Sequence, residues 1–158
     1  MGKRKQNWSA GDCFAIPLRD GRFMLGQVLR DEREGLPKVS CALFNTILDS
    51  TSSRAEPKLE HAIAILFTTA DLLDRGYWKV VQTTSVVVPQ SLFPFESLRK
   101  VGFVGAKTYG SGNVNHFANA FLALDPWDDS ADPEYLDKLL LSPDKKPSTL
   151  LFKKDMSD

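Results

Sequence analysis

The sequence of 158 residues contains only two cysteines and two histidines. Cys-x-x-Cys and His-Glu-x-x-His are absent, so the sequence predicts no zinc site. The phosphate-binding motifs Gly-x-x-x-x-Gly-Lys-Ser/Thr and Gly-x-Gly-x-x-Gly are absent as well. We therefore expect no bound metal and no cofactor.

Long apolar runs and an excess of one charge are also missing. No stretch approaches the roughly twenty apolar residues that a membrane-spanning helix needs. The opening MGKRKQNWSAGD is basic, but no apolar segment follows it, as a secretory signal would require. Twenty basic and twenty acidic side chains give a net charge of zero, so no global field favours nucleic acid or a membrane surface. These features predict a cytoplasmic protein that binds neither membranes nor nucleic acid directly.

The composition, with 42% hydrophobic and 25% charged residues, is typical of a globular domain. The length suits one domain with a substantial core, so we expect a single domain over 1–158. We expect a flexible arm at 1–7 and a frayed tail at 153–158. Cys13 and Cys41 lie in apolar runs and are predicted to be buried free thiols, whose proximity to one another the sequence leaves open.

The clearest structural pattern is GDCFAIPLRDGRFMLGQVL, Gly11 to Leu29. Alternating apolar residues on both sides of a polar centre predict two strands, each with one buried face. The Asp-Gly pair at the centre suits a tight turn, because glycine adopts positive φ without strain. We therefore predict a β-hairpin over about 13–29. Pro17 indicates an edge strand or a bend, and Gly26 indicates a bulge or a close neighbour.

The remaining pattern predicts more strands and two short helices. Apolar runs predict strands over 38–47, 61–69 and 77–83. Helices are predicted near 70–75 and over 133–141, the second because Asp132-Pro133 is a favourable helix start. The glycine-rich residues 101–117 suggest a bent strand followed by a turn. The predicted fold class is α+β and mainly β, either a bent antiparallel sheet or a half-open small barrel opened by the hairpin.

Catalytic chemistry has little support in the sequence. His116 lies in GNVNHF beside Asn113 and Asn115, and a hydrolase centred on His116 would need a nucleophile such as Ser111. No nucleophile, base and orienting group stand out as a set, so a structural role for His116 is favoured. We predict no catalytic residue and no enzyme activity, and keep the hydrolase as an alternative.

One segment has a distinct electrostatic character. DPWDDSADPEYLD, residues 125–137, holds six acidic side chains and no basic one. Three interpretations are open: a solvated loop with a capped helix start, a divalent-metal site, or a docking surface for a basic partner. The spacing matches no Ca²⁺ loop, which disfavours the metal. The partner-binding residues predicted for the docking surface are Asp125, Trp127, Asp128, Asp129, Asp132 and Tyr135.

The basic arm offers a different alternative. Lys3-Arg4-Lys5, together with an exposed aromatic such as Trp8, is typical of small barrel-like modules that bind nucleic acid or a peptide. Three cations in a flexible arm are more often a solubility feature, so this hypothesis ranks below docking through the acidic segment.

Several motifs resemble the bacterial immunity protein 26 family. Residues 8–29, WSAGDCFAIPLRDGRFMLGQVL, are similar to the opening of that family, and GYWKVV at 76–81 is similar to a later strand. GFVGAKTYGSG and LDPWDDSADPEYLDKLLL resemble the C-terminal half of one branch of it. The resemblance covers about residues 8–155.

The resemblance implies a non-enzymatic antidote to a polymorphic toxin, of the kind that acts in contact-dependent inhibition. The implied partner is a cognate toxin domain, bound one to one. A nuclease toxin must bind phosphate and so tends to be basic, and an acidic surface would then speed encounter and occlude its site.

Overall fold

The structure, a computed structural model, describes residues 5–32, 38–94 and 108–156. Its strands are β1 (Asp12–Pro17), β2 (Phe23–Asp31), β3 (Lys38–Leu48), β4 (Ala62–Thr69), β5 (Lys79–Thr83) and β6 (Thr108–Tyr109). Its α-helices in the described ranges are α1 (Asp71–Asp74) and α2 (Ser111–Phe121). Short 3₁₀-helices lie at Leu59–His61, Gln90–Leu92, Leu136–Leu139, Pro143–Lys145 and Lys153–Met156.

The strands form one sheet in the order β5-β1-β2-β3-β4-β6. Every pairing is antiparallel except β4 with β6, which is parallel. Within the described ranges the sheet is open and does not close into a barrel. The fold is therefore α+β and mainly β, as predicted, and of the two predicted architectures it is the bent sheet that forms.

The predicted hairpin is confirmed, but β1 is not an edge strand. Gly21 has a φ of +89° in the turn, and the Leu18 amide donates to the Arg22 carbonyl at 2.9 Å. β1 lies between β5 and β2, and Pro17 is its last residue, beyond the final β1–β5 pair of Ala15 with Lys79. Proline is tolerated there because the sheet on that side has already ended.

Both faces of the sheet are buried, where the alternation predicted one. The first face packs under α2 and the C-terminal segment, and includes Phe14, Ile16 and Val28. The second face, with Cys13 and Ala15, is covered by Val88 and Phe93 from the segment after β5. Gln27, fully buried, clamps that segment: its amide donates to the Thr84 hydroxyl and the Ser85 carbonyl and accepts from the Val87 amide.

The two cysteines are buried free thiols, as predicted. They lie on opposite faces of the sheet, because Cys41 packs in the first core cluster and Cys13 in the second. Burial raises the pKa of Cys13 and raises that of Cys41 to about 12, so both thiols stay protonated at neutral pH.

Helix α2 corrects the prediction of a bent strand and turn over 101–117; residues 101–107 lie outside the described ranges. The helix buries Val114, Phe117, Ala118 and Phe121 against the sheet. Their spacing of i, i+3, i+4 and i+7 is the helical signal, but the glycines and asparagines at the start of the helix obscured it.

The helix predicted over 133–141 is also wrong in extent, since only the 3₁₀-helix Leu136–Leu139 forms there. The Asp132 carboxylate does accept a hydrogen bond from the Glu134 amide, at 2.9 Å. The chain then turns extended at Leu140, and the Leu141 amide donates to the Ile63 carbonyl at 2.7 Å, which ends the helical turn. The helix predicted near 70–75 is confirmed as α1.

The described parts of the predicted flexible arm and frayed tail form hydrogen bonds or helical structure. The amides of Lys5 and Gln6 both donate to the Asp74 carbonyl, at 2.8 and 3.0 Å. Lys153–Met156 forms a 3₁₀-helix. Of the arm predicted at 1–7, residues 1–4 lie outside the described ranges, and of the tail predicted at 153–158, residues 157–158 lie outside them.

An aromatic stack joins the hairpin to α2. The Phe14 ring lies over Gly26 on the neighbouring strand and stacks on Trp78, with ring centroids 5.1 Å apart and planes 11° apart. The indole N–H of Trp78 donates to Asn115 Oδ1 in α2 at 2.7 Å. Gly26 is required because a Cβ there would come within 2.5 Å of the Phe14 ring.

Gly26→Ala is therefore expected to destabilise the protein by about 1–3 kcal/mol, because the added methyl displaces a packed aromatic ring. Chemical denaturation measures the effect. Gly112→Ala is the matched control: no atom lies within 4 Å of a Cβ there, and alanine favours the helix. Equal unfolding midpoints for Gly26→Ala and the native protein would contradict the packing described.

Candidate functional site

An open cleft lies between the β1–β2 turn and α2. Its polar side chains are Arg19, Asn115, His116, Asn119 and Asp125. The turn carries Arg19, α2 carries Asn115, His116 and Asn119, and Asp125 follows the helix. The cleft is the place where the sequence-predicted His116 and Asp125 meet.

Asp125 ties the two walls of the cleft together. Its side chain is 11% exposed and forms an ion pair with the Nε of Arg19, whose own side chain is 69% exposed. The Arg19 amide donates to Asn119 Oδ1 at 2.8 Å, so the turn is attached to α2 by a second bond. Asp125 therefore has a sufficient structural role.

His116 lies between a backbone carbonyl and the carboxylate of Asp125. Its Nε2 lies 3.1 Å from the Pro126 carbonyl, which can only accept, so Nε2 carries the hydrogen. Its Nδ1 then faces Asp125 Oδ2 at 4.0 Å. Because Nε2 donates to a backbone carbonyl, the nitrogen that would serve as the base of a triad is occupied, and Asp125 at 4.0 Å lies beyond hydrogen-bond distance from Nδ1.

The nucleophile considered for the hydrolase lies elsewhere. The Ser111 hydroxyl is buried and donates to Asp71 Oδ1 at 2.7 Å, away from the cleft. No serine, threonine or cysteine among the described residues lines the cleft. Asn115 is occupied by Trp78, and Asn113 is exposed. The geometry does not bring together the residues that the hydrolase alternative requires.

Asp71 has a shifted pKa as a result of its contacts with Ser111 and Thr69. Burial alone would raise the pKa of this carboxyl, but the hydrogen bonds from Thr69, Ser111 and the backbone, together with the charge of Arg75, hold the pKa below its ordinary value of 3.8. The two hydroxyl bonds join β4 and α1 to the start of α2. Asp71 is thus a positioning group for the helix that walls the cleft.

The six predicted partner-binding residues divide into buried and surface groups. Asp125 and Trp127 are buried, Trp127 at 1% exposure. Asp129 is exposed, and Asp128, Asp132 and Tyr135 are half-buried. The Trp127 ring packs on Phe117 with centroids 5.8 Å apart, so it belongs to the core beneath the segment.

The acidic segment binds the C-terminal residues of the chain. Asp128 Oδ1 accepts from the Lys153 amide at 2.8 Å, and Asp137 pairs with Lys146 at 2.8 Å. The Trp127 amide donates to the Leu151 carbonyl at 2.8 Å. These contacts give the carboxylates a structural role that the sequence pattern alone did not reveal.

Other acidic side chains of the segment have cationic neighbours. Asp132 pairs with Lys138 at 2.7 Å and raises the pKa of that lysine, and Asp129 lies 3.9 Å from Lys153 Nζ. Tyr135 packs edge-on against Tyr109 with centroids 6.0 Å apart, and burial raises the pKa of its hydroxyl. The segment is therefore acidic at its surface but partly compensated by lysines from the following residues.

The aromatic proposed for the basic arm is not exposed. Trp8 is 4% exposed and its indole N–H donates to Asp74 Oδ1 at 2.8 Å. Sequence reasoning missed Tyr77, which is 64% exposed. Tyr77 and Trp78 are adjacent aromatic residues, and the sequence does not indicate which of the two rings is buried. In the structure Trp78 is buried and Tyr77 is exposed.

Within residues 5–32, 38–94 and 108–156, no group of three or more histidine, cysteine, aspartate or glutamate side chains is placed to hold a metal ion. Among the same residues, no helix has the length and apolar character to cross a membrane.

The chain is similar to a known protein family. The family model described as Immunity protein 26 matches residues 9–100, more than half of the chain. No curated protein and no solved structure matches. The matched range contains β1 to β5 and α1, whereas α2 and the acidic segment lie beyond it.

Asp71→Asn is expected to lower stability at neutral pH, because the lowered pKa means that the folded state favours the ionised carboxylate. That contribution is fully present above the ordinary value of 3.8 and is lost as pH falls through the folded pKa. Urea unfolding at a series of pH values should therefore show the native and variant curves converging in acid. Asp49→Asn, whose carboxylate accepts no hydrogen bond from the described residues, is the control. A difference that stays constant into acid would contradict the role of Asp71.

Proposed function

The chain belongs to the immunity protein 26 family, and from this we propose that it binds and neutralises a cognate toxin domain. The observation that carries the proposal is the family match over 9–100. The cleft is consistent with this proposal. Its polar side chains bond to neighbouring groups of the fold, and none of them is a serine, threonine or cysteine that could act as a nucleophile. In this proposal the chain neutralises the toxin by covering its functional surface, without a chemical reaction.

We place the contact with the toxin on an acidic face, defined as Asp128, Asp129, Asp132, Glu134 and Tyr135. Asp129 and Glu134 are exposed, and Asp128, Asp132 and Tyr135 are half-buried. Asp125 and Trp127 of the original prediction then act from below, as buried supports. Tyr135 supplies the aromatic area that interface centres favour.

The internal ion pairs of this face do not prevent docking. Exposed ion pairs contribute only about 0–1 kcal/mol, so a partner's lysine or arginine can replace Lys138 or Lys153 at small cost. A nuclease is the toxin class that suits the face best, because a phosphate-binding surface is basic. Complementary charge would accelerate encounter, and the bound protein would cover the nucleic-acid site.

Co-expression of the chain with the toxin domain encoded beside its gene is expected to rescue growth, and the two proteins are expected to co-purify in a ratio of one to one. Growth assays and size-exclusion chromatography with light scattering measure both. If no adjacent toxin domain binds, the proposed function is wrong.

Reversing charge on the acidic face tests its role in that complex. Asp128→Lys with Asp129→Lys is expected to slow association with the toxin by about tenfold or more at low salt and to reduce its salt dependence, because long-range attraction is lost. Stopped-flow fluorescence or surface plasmon resonance measures the rate constants.

Two controls separate charge from folding. Glu56→Lys with Glu60→Lys makes the same change in net charge at exposed positions between β3 and β4 and should leave the interaction nearly unchanged. Asp128→Asn with Asp129→Asn removes charge while retaining an acceptor for the Lys153 amide. Equal association rates for the reversed and control pairs would move the interface away from the acidic face.

A further inference from the structure

Tyr77 is the most exposed of the large hydrophobic side chains in the described ranges. Its exposure is 64%, against 37–41% for Leu59, Leu92 and Leu141. We propose that the surface around Tyr77 is a second docking surface, which binds an acidic segment of a partner protein. This proposal goes beyond toxin binding through the acidic face and does not depend on it.

The loop that carries Tyr77 is held rigidly from both sides. Gly76, with a φ of +80°, turns the chain after α1, and its amide donates to the Leu73 carbonyl at 3.1 Å. The Trp78 amide donates to the Leu72 carbonyl at 3.1 Å, while the Trp78 ring is fully buried. Because the Trp78 ring is buried, the side chain of its neighbour Tyr77 points outward into solvent.

Gln6 closes the other side of the same loop. Its Nε2 donates to the carbonyls of Leu73 and Trp78, each at 2.9 Å, and its Oε1 accepts from the Val80 amide at 2.9 Å. An aromatic side chain presented on a preorganised backbone loses little entropy when a partner covers it. Such a tyrosine has the character of an interface hot spot.

Three cations lie within two residues of Tyr77 or on the segment bonded to its loop, alongside the carboxylates of Asp71 and Asp74, which accept hydrogen bonds from Thr69, Ser111 and Trp8. Lys5, Arg75 and Lys79 are all exposed and lie on the segments that frame Tyr77. The Lys5 amide is bonded to the Asp74 carbonyl, which places it beside Arg75. None of the three cations forms an ion pair with a described residue, although Arg75 lies near enough to Asp71 to help lower its pKa.

The charge and the aromatic together identify the kind of partner. Carboxylates of an acidic segment would pair with Arg75, Lys79 and Lys5, while an apolar side chain of the same segment would cover the Tyr77 ring. Single-stranded nucleic acid is less well suited, since it binds along rows of stacked aromatics and the described surface here offers one ring. Among the described strands β5 lies at the edge of the sheet, and the Tyr77 side chain that precedes it is 64% exposed.

An NMR titration of the ¹⁵N-labelled full chain tests the proposal and detects weak binding. The probes are the peptide EDEDLDEDE, its charge-reversed twin KRKRLKRKR, and oligothymidylate. The acidic peptide is expected to shift the amide resonances of Lys5, Gln6 and residues 75–80, in a salt-dependent manner. Tyr77→Ala, and separately Arg75→Glu with Lys79→Glu, should weaken its binding about tenfold or more.

The matched control is Arg54→Glu with Lys58→Glu, which makes the same charge change at exposed positions between β3 and β4 and should leave the titration unchanged. Retained dispersion of the amide spectrum verifies that each variant is folded. The proposal is overturned if the acidic peptide shifts no resonance or shifts others, if Tyr77→Ala binds it as well as the native chain does, or if the reversed twin binds equally. Tighter binding of oligothymidylate at the same residues would overturn it in favour of a nucleic-acid surface.

Discussion

The stack of Trp78 on Phe14 is the contact on which the rest of the structure depends. It requires a glycine at position 26, because the Phe14 ring occupies the space of a side chain there. It fixes α2 through the bond from the indole to Asn115, and α2 in turn positions His116 and Asn119 in the cleft. It also turns Tyr77 outward. The buried indole of Trp78 thus links the hairpin to α2, and it lies beside both the α2 wall of the cleft and the exposed Tyr77.

The acidic segment shows how charge can serve structure and recognition together. Its carboxylates hold the C-terminal residues through Lys146 and the Lys153 amide, which explains their number without a partner. Such exposed pairs are weak, so the same groups stay available to a basic surface. Trp127 and Asp125 lie beneath them as core and as a link to the hairpin turn. The family of the chain gives the reason to expect a toxin partner, and we propose that the acidic face binds a basic surface of that partner.

Local pattern predicted the parts of the fold that depend on local rules. The hairpin followed from alternation and an Asp-Gly turn, and α1 from its short run ending at Gly76. Helix α2 was missed because Gly110 and Gly112 outweighed the spacing of its buried residues, and the 133–141 helix was overextended because a bond from Leu141 to β4 ends it. For the sites, residue type singled out Asn115, His116 and Asp125, but not Arg19 or Asn119, which join them in the cleft. The burial of Trp127 and the exposure of Tyr77 arise from tertiary packing that no local pattern encodes.

Neutralisation by occupation requires one chain for each toxin molecule, and this stoichiometry distinguishes a binding antidote from an enzyme that inactivates its target. The direct measurement is the residual activity of the cognate toxin as the chain is added in increasing molar ratio, with the toxin well above the dissociation constant. We predict a linear loss of activity that ends at a ratio of one to one, with the toxin recovered at unchanged mass. Complete inactivation at a small fraction of that ratio, or a covalently altered toxin, would contradict the account.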